Sequence, residues 1–195
     1  RRRRAPPKNM SGQAAETWYA PAQRTSPRTL DREVSLVTNH PVLDALLLAV
    51  DGVLAVLDDN RQIIAVNRTF LDLTGMLDVT EALGLRVGEA LDCTHAHDEV
   101  HGCGTSRACA SCGAVNAFLA AQQTDAPAEK TCALQTGSAG DTTDLSLRVR
   151  VSPLHIEGLR CYVVLCQDVS RGHRLANLER IFLHDLNNVL QALRV

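Results

Sequence analysis

Aromatic residues are nearly missing from this chain, which has one Trp, two Tyr and three Phe in 195 residues. A core cannot be built around rings here. It must be packed mostly from Leu, Val and Ala, which the 45% apolar content can supply. No apolar run reaches the roughly 18–20 residues needed to cross a bilayer, and no secretory leader is visible. Net charge is close to balance at −2, so there is no general case for nucleic-acid binding. Internal repeats and long low-complexity tracts are also lacking. The first residue is not Met, and the expectation is a piece of a longer protein.

Charge is uneven despite the balance. Arg1–Arg4 open the chain, and Arg24, Arg28 and Arg32 follow. Such a cluster reads either as the cytoplasmic flank of an upstream membrane anchor, by the positive-inside tendency, or as a solvated tail. Residues 1–38 also carry Pro6, Pro7, Pro21 and Pro27 with little periodicity. They read as a basic, flexible leader with a short helix near Asp31–Val37.

What the chain does have is cysteine, concentrated in one place. Cys93–Gly113 holds four of the seven cysteines and three of the seven histidines. Cys93, Cys103, Cys109 and Cys112 are spaced C-x9-C-x5-C-x2-C, with His95, His97 and His101 in the first gap. Thiolates are soft ligands suited to zinc, Cu(I) or iron–sulfur clusters, and a C-x2-C pair presents two sulfurs from a tight turn. The following AVNAFLAA reads as a helix starting near Gly113, which puts Cys109 and Cys112 at a helix N-terminus, where the macrodipole favours thiolate. An odd number of cysteines, unevenly placed in a chain too large to need staples, points to a reducing cytosol and a metal or redox site.

Around that stretch the hydrophobic periods describe an α+β domain. Pro41 opens a helix with Leu43, Leu46, Leu47 and Val50 on one stripe, ended by Asp51-Gly52. Val53–Leu57 and Ile63–Val66 read as strands joined at Asp58–Arg61. A helix through Asn67–Gly75 follows, capped by Gly75, then short helical pieces over Val79–Leu91. Three strands come last: Glu129–Gln135, the alternating stretch Leu145–Ser152, and Leu159–Cys166, which is apolar on both faces as a central strand would be. The expected architecture is an antiparallel five-stranded sheet with helices on one face. From Ser170 the period changes again. Leu175, Leu178, Phe182, Leu186, Val189 and Leu193 form a seam for pairing with another helix.

This order resembles the PAS sensor fold over residues 39–170. The likeness is carried by Asp51-Gly52 before the first strand, by AVNRTFLDLTG (Ala65–Gly75), and by Gln167-Asp168-Val169-Ser170 after the last strand, similar to the junction that joins PAS domains to a signalling helix. Beyond it, in residues 171–195, Phe182–Asn188 resembles the phosphoacceptor box of sensor histidine kinases. That resemblance makes His184 the phosphorylated residue, with Asp185 orienting its imidazole. Asn188 completes a D-x-x-N pattern that positions water for dephosphorylating a response regulator. The box departs from the family pattern in lacking the proline that usually follows the histidine. The ATP-binding domain and its boxes are not in this sequence, so the chain alone is expected to be inactive, with ATP used only by the parent kinase. The cysteine-rich segment falls where PAS domains wrap a ligand and looks similar to the iron–sulfur-binding kind, although the spacing differs from a two-pair C-x2-C arrangement.

Each sharp reading has a plain counterpart. Four buried thiols can be mere packing, since free Cys behaves as a small hydrophobe; twenty polar, Gly-rich residues do not call for four of them on that ground. A metal or iron–sulfur site comes first, a thiol switch next and inert packing last. Zinc has no redox chemistry to report a signal, which tips the choice towards iron–sulfur. His95, His97 and His101 are weaker ligand candidates, read as solvated. Cys132, Cys161 and Cys166 fall on strands and read as core, with Cys132 able to face the same pocket. The expected function is the redox- or gas-sensing PAS module of a dimeric histidine kinase, on the cytoplasmic side. The alternative is a PAS domain with structural zinc or a thiol switch, acting as a non-catalytic dimerisation or adaptor module.

Overall fold

The computed structural model describes residues 17–138 and 141–168. His184, Asp185, Asn188 and the helix expected over 171–195 lie outside those residues.

The described chain forms five helices and five strands in the order α1 (Pro27–Thr38), α2 (Pro41–Ala49), β1 (Val53–Leu57), β2 (Ile63–Val66), α3 (Arg68–Thr74), α4 (Val87–Ala90), α5 (Gly113–Thr124), β3 (Ala128–Ser138), β4 (Asp141–Ile156) and β5 (Leu159–Asp168), with short 3-10 turns in the cysteine-rich segment. The strands make one antiparallel sheet in the order β2-β1-β5-β4-β3. β5 is central, as its two apolar faces require. This is the α+β, PAS-like architecture that the sequence pattern implies.

Local chemistry sets the element ends. Pro27 and Pro41 stand in the first turns of α1 and α2, where a missing N–H costs nothing. Asn67 caps α3 through Phe70 N–H, and Gly75 ends it in the left-handed region at φ 67°. Asn67 does more than cap. Its Oδ1 accepts from Leu54 N–H at 3.0 Å and Phe70 N–H at 3.1 Å, while Nδ2 donates to the carbonyls of Val50 at 3.0 Å and Gly52 at 2.7 Å. One side chain thereby ties the α2–β1 connection to the start of α3. Asp58 closes the β1–β2 turn by accepting from Asn60 and Gln62 N–H. Glu157 and Gly158, both at positive φ, make the tight β4–β5 hairpin.

Strand alternation divides the core into two layers. Leu147, Val149 and Val151 of β4, with Tyr162, Val164 and Cys166 of β5, face α3–α5. Leu54, Val56, Ile64, Ile156 and Cys161 face the other way, and are covered by Val37 of α1 and Leu43 of α2. The helices expected on one face are therefore α3–α5, while the N-terminal pair covers part of the opposite face. The short helix anticipated near Asp31–Val37 runs over Pro27–Thr38 because Val37, Leu30 and Val34 find apolar strand residues beneath them.

Of the leader expected at residues 1–38, the described part follows a defined course. Residues 17–26 run as a strap along the cysteine-rich segment, with Trp18 and Ala20 N–H donating to the carbonyls of Thr105 and Gly104. Ala20 and Ala22 are buried beneath it. The strap is held by carbonyl acceptors and small residues, not by an apolar stripe.

Candidate functional site

The cysteine-rich segment, α5 and the inner face of β3–β5 enclose a cavity of about 170 Å³. Cys93, Cys103, Cys109 and Cys112 all line it, together with Cys132 of β3 and Cys166 of β5. Six of the seven cysteines thus share one cavity wall. Cys161 packs in the layer on the other sheet face. The remaining wall is largely apolar, with Val115 and Phe118 from α5 and Leu147, Val149 and Val164 from the sheet. The sequence pattern expects Cys132 as core with access to the pocket and Cys166 as core alone; Cys166 too reaches the cavity.

Two arginines that sequence reasoning passed over frame the cavity. Arg86, only 1% exposed, donates from its guanidinium to the carbonyls of Cys103 at 2.9 Å and His101 at 3.2 Å in the cysteine loop. It also reaches Gln23 at 2.8 Å, Ala22 at 3.1 Å and Pro21 at 3.4 Å in the strap, and Asn60 at 3.3 Å in the β1–β2 turn. Burial, with Arg61 and Arg24 nearby, lowers its pKa to about 9. Arg61 is also buried, and its Nη2 donates to Pro21 carbonyl at 2.6 Å while its Nε has no hydrogen-bond partner among the described residues. Glu89 offsets this positive charge by pairing with Arg24 and accepting from Cys103 N–H at 3.1 Å. Their signature in sequence is slight. A charged residue amid apolar ones at Arg86-Val87 differs little from a surface position.

Individual thiols differ sharply in environment. Cys112 is the N-cap of α5, as the helix expected at Gly113 implies. Its sulfur lies 3.6 Å from that of Cys132. The S–H of Cys132, then the N–H groups of Val115 and Ala114, lower the Cys112 pKa to about 6 against the opposing effect of burial. Cys132 is correspondingly raised, by that same hydrogen bond and by burial. Burial pushes Cys103 and Cys166 up to about 12, and raises Cys93. Cys109 does not occupy the helix N-terminus itself. It sits in the preceding 3-10 turn, with its sulfur 3.3 Å from Ser106 Oγ. Gly88 leaves room for Cys103, whose sulfur would be 2.6 Å from a Cβ placed there.

The histidines are mostly turned outward. His95 lines the cavity rim and pairs with Asp98 at 2.8 Å, while His97 pairs with Asp92 at 3.1 Å in an exposed setting. His101 contributes its carbonyl to Arg86.

The donor types, several thiols with two guanidinium groups beside them, are those a thiolate-bound metal or iron–sulfur cluster uses, but their placement does not form a ligand shell. Among the described residues, no three His, Cys, Asp or Glu side chains are gathered closely enough to hold a metal ion. The sulfurs share a cavity without converging on one point. Among the described residues, no helix is long and apolar enough to cross a membrane.

A family model described as PAS domain matches residues 43–109. The PAS domain of an HTR-like protein from Haloarcula marismortui is 19% identical at a TM-score of 0.44, over 71% of this chain and 98% of that one. The PAS domain of nitrogen regulation protein NR(II) from Vibrio parahaemolyticus is 14% identical at a TM-score of 0.47, over 66% and 99%. A light-oxygen-voltage domain studied with a flavin analogue is 16% identical at a TM-score of 0.45, over 75% and 98%. No curated protein matches the chain.

Proposed function

We propose that this PAS-like domain is the sensory module of a dimeric sensor histidine kinase, and that it reads redox state through the cysteines around its cavity. The observation that carries the reading is the gathering of six of seven cysteines on one cavity wall. Burial alone raises a thiol, as it does Cys103 and Cys166. It does not account for Cys112 on the same wall, whose pKa is lowered to about 6 by the Cys132 S–H and the first N–H groups of α5. Perturbed groups set in a cleft are enriched at functional sites.

Cys93, Cys103, Cys109 and Cys112 would hold an iron–sulfur cluster, or zinc in a structural version of the same site, only once the cysteine loop draws in sulfurs that do not converge in this structure. A cluster would supply one-electron redox chemistry and sensitivity to oxygen. The protein's own part is to position the thiols: Arg86 fixes the carbonyls of His101 and Cys103, and α5 orients Cys112. Repacking of α5 against β3–β5 would be felt along β5 towards Gln167 and Asp168, and from there in the presentation of His184 on the paired helices to a response regulator.

The test is an absorption spectrum of protein purified without oxygen, with iron, sulfide and zinc quantified on the same sample. A band near ~400 nm that bleaches in air, with iron and sulfide present, supports the cluster-based sensor. Stoichiometric zinc in a colourless protein makes the site structural and overturns metal-based redox sensing. Metal-free protein removes the cluster and leaves redox sensing to the thiols alone.

A further inference from the structure

We propose that Cys112 and Cys132 are a reactive pair in which Cys112 is oxidised by a hydroperoxide and Cys132 resolves it to a disulfide, pinning the start of α5 to β3. The inference deepens the redox reading above and rests on its thiol half, needing neither a metal nor His184.

Three observations converge on this pair. The two sulfurs are 3.6 Å apart, so side-chain rotation with a small approach brings them to the bond length of about 2.05 Å. The backbones already meet: a Cβ on Gly113 would collide with the Thr131 carbonyl and come within 3.0 Å of Cys132 N. A glycine here lets the first turn of α5 sit directly on β3, which brings Cys112 and Cys132 into register. Finally, access is unequal, since Cys112 is half-buried on the cavity wall whereas Cys132 is 1% exposed. The more accessible sulfur is met first, and the buried one waits behind it.

The neighbouring C-x2-C pair is the obvious competitor from sequence. In the fold it divides: Cys109 turns to Ser106 at 3.3 Å and Cys112 turns to Cys132. The disulfide therefore joins the cysteine-rich segment to a distant strand and does not close the short loop.

In the first step the Cys112 sulfur attacks one peroxide oxygen. An S–O bond forms, the O–O bond breaks, and the leaving oxygen departs as water or alcohol after taking up a proton. Sulfur is oxidised by two electrons and the peroxide is reduced. In the second step the Cys132 sulfur attacks the sulfenic sulfur. The S–S bond forms, the S–O bond breaks, and hydroxide leaves as water with the Cys132 proton.

The experiment exposes the reduced full chain to hydrogen peroxide, blocks free thiols with N-ethylmaleimide in denaturant so that the buried Cys132 is reached, and maps disulfides by mass spectrometry without reductant. Metal content is measured on the same sample. A Cys112–Cys132 peptide that disappears on reduction is expected as the main cross-link. Cys132→Ala should lose it and accumulate a Cys112 sulfenic acid trapped by dimedone. Cys109→Ala should retain the cross-link, which keeps the test informative if the buried variant fails to fold. A dominant Cys109–Cys112 link, or Cys132 still fully alkylated after peroxide, overturns the inference. Iron and sulfide in a protein whose Cys132 stays alkylated overturns the disulfide but supports redox sensing. A Cys112–Cys132 link that leaves amide exchange in α5 unchanged does the reverse.

Discussion

Replacing Arg86 with alanine removes a buried cation that reaches six carbonyls on three segments: the strap, the β1–β2 turn and the cysteine loop. Charged hydrogen bonds contribute about 1.5–3 kcal/mol each in net terms. The six do not add, because the strap carbonyls of Pro21, Ala22 and Gln23 can turn to water once the strap lifts. The carbonyls of His101 and Cys103 are less free to do so, and a void replaces a side chain that was 1% exposed. The expected loss is ~3–5 kcal/mol, the range for breaking a buried charge network. For a folded region of this size it lowers Tm by roughly 6–20 °C. Arg86→Lys should fall between, since an ammonium has fewer donors and no planar fork. Thermal unfolding measures the loss, and hydrogen exchange at Trp18 and Ala20, whose N–H groups bond Thr105 and Gly104, reports whether the strap has lifted. A melting point within ~2 °C of wild type, with both amides still protected, would refute the view that Arg86 fixes the cysteine loop.

Asn67→Ala should cost ~3–4 kcal/mol, from the lost cap and three further buried hydrogen bonds. Asn67→Asp should be least harmful at low pH, because an ionised carboxylate would face the carbonyls of Val50 and Gly52; urea unfolding at several pH values checks both. Gly113→Ala should destabilise by ~3 kcal/mol, the upper end for overpacking, because the obstructing Thr131 carbonyl belongs to a paired strand. Glu33 has its pKa raised from 4.5 to about 7 by burial, then by Asp58 and Asp59, against Arg32. The folded state then binds more protons than the unfolded chain between those values, so stability falls as pH rises through that window. Glu33→Gln should flatten the dependence of Tm on pH there, and an unchanged slope would contradict the assignment.

Much of the fold was legible because its signals are local. The alternation of Leu145–Val151 survives as the inner face of β4, and Asn67, Phe70 and Gly75 mark α3 at both ends. Cys112 at the start of α5 followed from Gly113 and the apolar run after it. The cavity's full cysteine set was not legible, because Cys132 and Cys166 lie on strands, where apolar neighbours make a thiol look like core. Parity held a clue. Cys161 and Cys166 are five residues apart on β5 and so face opposite ways, one towards α1 and α2 and the other towards the cavity. The strap and Arg86 left still less trace, since a guanidinium that binds backbone carbonyls selects no particular residue types in its partners. Placement of α1 and α2 over the second sheet face was likewise hidden, because an apolar helix stripe does not say which face it covers.

The central claim is that oxidation at the cysteine-lined cavity changes how α5 packs on the sheet. Hydrogen–deuterium exchange of the chain kept reduced and of the same chain after peroxide treatment tests it most directly. Slowed exchange should appear in the first turns of α5 and in β3 around Cys132, with α1, α2 and Cys161 on the opposite face unchanged. Identical exchange in both states, or changes confined to α1 and α2, would contradict the account.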